Sequence, residues 1–169
     1  MKLTNLLSTK KSLILDRWLN QILANYPPET AQFLKREKDR FDNPLGYRIT
    51  QGITELYQGL LSGADREQLL CSLDEVIRIW AVQDFTPSQA LAFVFLLKKV
   101  VRDELAQELK NPELAEACLD LESRIDGLAL LGFDVYMKRR EKLCEIRVDE
   151  IKKRIGGLLR SKGIDLANI

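Results

Sequence analysis

The sequence predicts an all-α protein: a single-domain helical bundle of about six helices with a long C-terminal helix. Three observations carry this expectation. Only 9 Gly and 5 Pro occur in 169 residues, while the good helix formers Leu, Glu, Lys, Arg and Ala dominate. β-branched residues do not gather in alternating runs, so no strand pattern is present. Apolar residues recur instead at spacings of three and four, as on one face of an amphipathic helix. A hydrophobic content of 46% with 30% charged residues suits a globular chain that can bury a core.

The first helix is expected over Leu6–Tyr26. Leu6, Leu7, Leu13, Ile14, Trp18, Ile22 and Leu23 share a face there, and Tyr26-Pro27-Pro28 ends it because a residue before proline is pushed out of the α region. A short helix follows around Glu29–Arg36 with Ala31, Phe33 and Leu34 as its apolar part. In Phe41-Asp42-Asn43-Pro44, Asn43 can cap the next helix while Pro44 takes its first position. Ile49, Ile53, Leu56, Tyr57, Leu60 and Leu61 mark its buried face, and Gly63 suits a left-handed C-terminal cap.

Asp65 and Gln68 have the spacing of a capping box, opening a helix that carries Leu69, Leu70, Leu73, Val76, Ile77 and Trp80. The Trp80 N–H is expected to point outward. Thr86-Pro87-Ser88-Gln89 combines a capping hydroxyl, a proline at the first position and a reciprocal glutamine. The run Ala90–Leu97 that follows is apolar on nearly every face, as in a helix surrounded by others. Asn111-Pro112 repeats the Asn-Pro device and starts a last section to about Lys162 that holds no proline.

Within that section Leu130, Phe133, Met137, Arg140, Cys144, Val148, Ile151, Ile155 and Leu158 average 3.5 residues per step, the period of a coiled-coil seam. Arg140 interrupts the apolar series, and the steps of four on each side of Cys144 form a stutter. The seam either packs along the domain or pairs with another helix. From Lys138 to Lys162 there are ten basic and four acidic residues, a net of +6 in a chain of net charge +1. Such a basic helix suits an acidic partner or an anionic surface, or is simply solvated. Arg139, Arg140, Arg147, Lys152 and Arg154 are its candidate partner-binding residues. The organisation expected is a helical domain over 1–137, continued by a basic helix over 138–169 for dimerisation or linkage.

Function is bounded mainly by what is missing. The chain has no histidine, which removes Ser-His-Asp and Cys-His catalysis, His-ligated haem and the common catalytic zinc sites. No catalytic residue, metal ligand or cofactor is assigned, and the expectation is a protein that is not an enzyme. Asp74, Glu75 and Asp84 have no metal-ligand spacing. Gly156-Gly157 lacks both the phosphate-loop motif and a preceding strand. Aromatic and basic residues are not interleaved as in nucleic-acid platforms, so no nucleic-acid partner is expected.

Three separated cysteines, Cys71, Cys118 and Cys144, fit a reduced compartment in which thiols pack as small apolar groups. With no signal-peptide pattern and no span of about 20 apolar residues, a cytoplasmic location is expected, without membrane insertion but with peripheral contact left open. A small-molecule reading is the alternative. It places an apolar pocket beside the Phe93–Phe95 helix, with Arg78, Trp80, Gln83, Asp84 and Phe93 as ligand-binding candidates.

The stretches Phe41–Ile49 and Leu73–Leu105, with an N-terminal helix carrying Trp18, resemble the RsbRD-type N-terminal domain of RsbT co-antagonist (stressosome sensor) proteins. Ala81-Val82-Gln83-Asp84-Phe85, then Pro87-Ser88 and the apolar helix, are the most specific part. Relatives commonly carry a second arginine where this chain has Trp80. The resemblance implies an all-helical, globin-like sensor domain without haem that dimerises and signals through a C-terminal linker helix, in a bacterial stress or redox pathway. Fuller members add a STAS domain that engages a switch kinase. This chain is expected to be a stand-alone version, with no room for a STAS domain after its long helix. The segment Phe133–Arg154 also resembles stand-alone versions encoded beside a membrane sulfite-reduction complex, which implies a cytoplasmic accessory role as a further alternative.

Overall fold

Side-chain caps set the starts of four helices in the computed structural model, which describes residues 2–36, 39–83 and 85–161. Seven α-helices and no strand occur among the described residues. They are α1 (Leu3–Thr9), α2 (Lys11–Leu23), α3 (Pro28–Arg36), α4 (Pro44–Ser62), α5 (Arg66–Val82), α6 (Pro87–Glu104) and α7 (Pro112–Ser161), with one 3₁₀ turn at Glu108–Lys110. The chain divides into two compact units, residues 1–136 and 137–169.

The caps act as their residue types dictate. Asn43, only 1% exposed, accepts from the Gly46 N–H at 2.8 Å and donates its amide to the Leu34 carbonyl at 3.0 Å. One side chain thus ties the end of α3 to the start of α4. Asp65 accepts from the Gln68 N–H at 2.9 Å. At Thr86 the capping box is complete: Gln89 N–H reaches the hydroxyl, and Gln89 Oε1 accepts from the Thr86 N–H at 3.0 Å. Asn111 accepts from the Glu113 N–H at 2.9 Å and opens α7. Gly63, at φ 71°, ends α4 in the left-handed region, where a side chain would be strained.

The single helix expected over Leu6–Tyr26 is corrected to two. Lys10 leaves helical geometry at φ −91°, ψ 10°. Its ammonium donates to the Glu104 carbonyl at 2.6 Å and pairs with Glu108 Oε1 at 2.7 Å, so it caps the C-terminus of α6, where a cation is favoured. The break also moves the buried face: Leu13 is exposed, while Leu3 and Leu19 join the core.

In residues 1–136, α2 and α6 pack antiparallel, Lys10 lying against Glu104 and Trp18 against Phe93. α4 and α5 also pack antiparallel. A Cβ placed on Gly52 would overlap Val76 Cγ2, so glycine is what allows this approach. Up to Tyr136, α7 buries Cys118, Leu121, Ile125, Leu128 and Ala129. It is fastened by Arg102 on Glu122, Lys98 on Asp126 at 2.9 Å, and Arg124 on the Leu60 carbonyl.

The expectation for α6 as a sheathed helix holds on most of its surface. Ala90, Leu91, Phe93, Val94 and Leu97 are buried, but Phe95 is 50% exposed. Leu61, Leu69 and Leu70 are half-buried rather than core, and Phe33 is exposed. The packing expected of the thiols holds for Cys118 alone, since Cys71 and Cys144 are exposed.

Candidate functional site

Where α2, α5 and α6 meet, apolar spacing drives aromatic rings together and their polar ends must find partners inside. Trp18 donates its indole N–H to the Phe93 carbonyl at 2.7 Å and stacks on the Phe93 ring, centroids 6.1 Å apart. Trp80 meets the same ring, tilted, at 4.9 Å. Its N–H, expected to point outward, instead donates to the Tyr26 hydroxyl at 2.9 Å. That hydroxyl donates in turn to Gln83 Oε1 at 3.0 Å. Burial pushes the Tyr26 hydroxyl pKa up, with the Trp80 bond pulling it back. Tyr26 also meets Phe85 at 6.0 Å, and Tyr136 of α7 donates to the Phe85 carbonyl at 2.6 Å. Residues of four helices and the α5–α6 turn are therefore fastened together.

Of the residues the sequence nominated for a ligand, this arrangement brings together Trp80, Gln83 and Phe93. Arg78 lies apart, paired with Glu75 at 2.9 Å, and Asp84 lies outside the described residues. The cleft touching Tyr26, Trp80, Phe85 and Phe93 measures about 10 Å³, room for about one water. Among the described residues, the rings of Trp18 and Trp80 stand against Phe93 on this side.

A roomier concavity lies between α2, α3 and α4. This groove of about 650 Å³ has Leu15, Leu19, Leu34 and Ile53 against its floor and Asp16, Lys35 and Glu55 among its polar residues. Nothing in the local sequence pattern singled it out, because three helices build it.

The buried carboxylate of Glu122 was also missed, although it falls on the apolar face marked by Cys118, Leu121 and Ile125. Arg102 grips it with two hydrogen bonds and Lys98 stands 4.0 Å away. The Arg102 bond holds the carboxyl below its ordinary range against the opposing effect of burial. Burial, and then the Glu122 charge, push the Cys118 thiol pKa up, which keeps that sulfur protonated and poorly nucleophilic. No group of three or more potential metal ligands occurs among the described residues. No helix in them is long and apolar enough to cross a membrane.

From Met137 to Ser161, α7 is amphipathic with its apolar stripe uncovered. Val148, Ile151, Ile155 and Leu158 are 47–64% exposed and Cys144 is exposed. In the first unit, Leu130 is 73% and Phe133 47% exposed. Among the candidate partner-binding residues, Arg147, Lys152 and Arg154 are exposed, while Arg139 and Arg140 are half-buried.

The described residues define an all-helical domain with a packed aromatic centre and a long C-terminal helix. The chain belongs to the family of the RsbT co-antagonist protein rsbRD N-terminal domain, whose sequence model matches residues 13–150. This is a stressosome-associated signalling domain family. An uncharacterized protein of Archaeoglobus fulgidus is 26% identical over 142 residues, covering 81% of this chain and 82% of that protein. No solved structure matches the chain with significance.

Proposed function

We propose that this protein is a cytoplasmic, non-enzymatic sensor or adaptor domain of a bacterial stress or redox signalling pathway. It acts by pairing two copies through α7 and by binding a protein partner through the basic residues Arg139, Arg140, Arg147, Lys152 and Arg154. The observation that carries this reading is the exposed apolar stripe of Val148, Ile151, Ile155 and Leu158. Monomeric proteins rarely leave so much contiguous apolar surface in water. A seam of near-heptad period is also satisfied by another helix of the same kind. Two packings of such a seam can differ by little free energy, so a perturbation of the aromatic centre could bias one of them.

Light scattering on the full chain and on a version ending after Arg139 tests this. Dimer for the first and monomer for the second is the expected result. Monomer for both counts against the reading.

The groove between α2, α3 and α4 supports a second reading, a module for a small, mainly apolar ligand. Its volume falls in the range of roughly 300–1,000 Å³ common for such sites. The expected ligand site would then lie there and not beside Phe93. Methyl chemical-shift changes at Leu19, Leu34 and Ile53 on adding a candidate ligand would support it, and changes confined to α7 would reject it.

A further inference from the structure

Where the start of α1, the end of α4 and the first turns of α7 meet, they enclose a pocket of about 390 Å³. Of its apolar lining, Leu7 and Leu60 are buried, while Leu61, Leu114 and Ala117 are half-buried and keep part of their surface uncovered. Its charged residues are Lys2, Glu113, Asp120 and Arg124, a cation and an anion twice over. Among the described residues no ion pair engages any of them.

That lack is unexpected on α7 itself. Asp120 and Arg124 stand one helical turn apart, with the acid first, the order that favours a pair. Arg124 instead turns a terminal N–H to the Leu60 carbonyl. A carbonyl carries no net charge, so the guanidinium stays uncompensated and most of its donors stay unused. The groove between α2, α3 and α4 differs on this point, because its Asp16 and Lys35 pair at 3.4 Å.

We propose that the pocket at α1, α4 and α7 binds a free α-amino acid with an apolar side chain. Its carboxylate meets Arg124, with Lys2 as the second cation, and its ammonium meets Asp120, with Glu113 as the second anion. Residues four apart on a helix have Cβ atoms about 5–6 Å from one another, so a molecule with both charges on one carbon suits the interval between Asp120 and Arg124. The ligand's side chain lies against Leu61, Leu114 and Ala117. A molecule with no charge would cover these four groups without pairing them, and one with a single charge would leave half of them unanswered. The volume falls within the roughly 300–1,000 Å³ common for small-molecule sites. No residue beyond Arg124 takes part, so the proposal does not depend on pairing through α7.

The test follows methyl chemical shifts of the full chain as L-leucine is added. Saturable changes at Leu7, Leu61 and Leu114 with a dissociation constant below about 1 mM are expected. 3-Methylbutylamine lacks the carboxylate and 4-methylpentanoate lacks the ammonium. Each should bind about tenfold or more weakly, as for a lost hydrogen bond to a charged group. Asp120→Asn should weaken leucine by a similar factor, and Asp120→Glu, which keeps the charge, should retain more of the affinity than Asn. No shift up to about 10 mM leucine, equal response to all three compounds, or binding indifferent to Asp120→Asn overturns the proposal. So do changes at Leu19 and Ile53 in place of Leu7 and Leu114, which would put the ligand in the other groove.

Discussion

Trp18 on α2 gives its indole N–H to the main-chain oxygen of Phe93, in the middle of α6, at 2.7 Å while its ring stacks on the Phe93 side chain. The contact joins residues 75 apart and is fully buried. It fixes both the height and the rotation of α2 on α6. Ring stacking alone would let one helix slide along the other, and the hydrogen bond removes that freedom.

Replacing Trp18 with Phe removes the bond and part of the ring volume. The lost hydrogen bond and the space left behind together cost about 2–3 kcal/mol. Urea unfolding followed by circular dichroism checks this, and a loss under about 0.5 kcal/mol would show that the bond contributes nothing.

Tyr136→Phe keeps the ring and removes the bond to the Phe85 carbonyl. The expected cost is about 1 kcal/mol. Hydrogen exchange should also accelerate at the amides around Phe85 more than in α4. Uniform acceleration would mean that the bond does not anchor the α5–α6 turn.

Glu122 makes stability depend on acid. Its carboxyl lies below the ordinary value of 4.5 because Arg102 bonds the charged form. Lys98 adds to that pull, while Asp126 and burial oppose it. The unfolded chain then binds the proton first. The contribution is complete above that ordinary value and disappears as pH falls through the lower folded one. Glu122→Gln should lower stability at pH 7 and flatten its decline at acidic pH. An unchanged acid slope in urea titrations run between pH about 6 and 3 would contradict the role.

Cys144 reports on pairing. It lies on the exposed seam and faces its own copy whichever way the second helix runs. Oxidised glutathione should convert two Cys144 thiols into one intermolecular disulfide, releasing two molecules of glutathione. Cys144→Ala should abolish the linked dimer on a non-reducing gel, and Cys71→Ala should leave it. Linkage that follows Cys71 instead would remove α7 as the interface.

The helix boundaries legible in the sequence are those whose causes lie within three or four residues. The Asn43, Asp65, Thr86 and Asn111 caps each act on an amide that close. The break at Lys10 was invisible because its cause is 94 residues away in Glu104. The outward direction expected for the Trp80 N–H failed for the same reason, its partner Tyr26 being 54 residues distant. Periodicity identified Trp80 and Phe93 as buried but not as neighbours, and so it suggested space where two rings touch. The apolar stripe of α7 was visible because a helix repeats its own pattern, whereas its exposure cannot be read from spacing alone.

Gly52 and Val76 occupy what amounts to a single volume shared by two helices. Homologues that acquire a methyl group at the first position should therefore have lost one at the second, so that the two columns of an alignment drift together. A family member with alanine at one and valine retained at the other would need α4 and α5 farther apart, and with them a differently shaped groove beside Ile53.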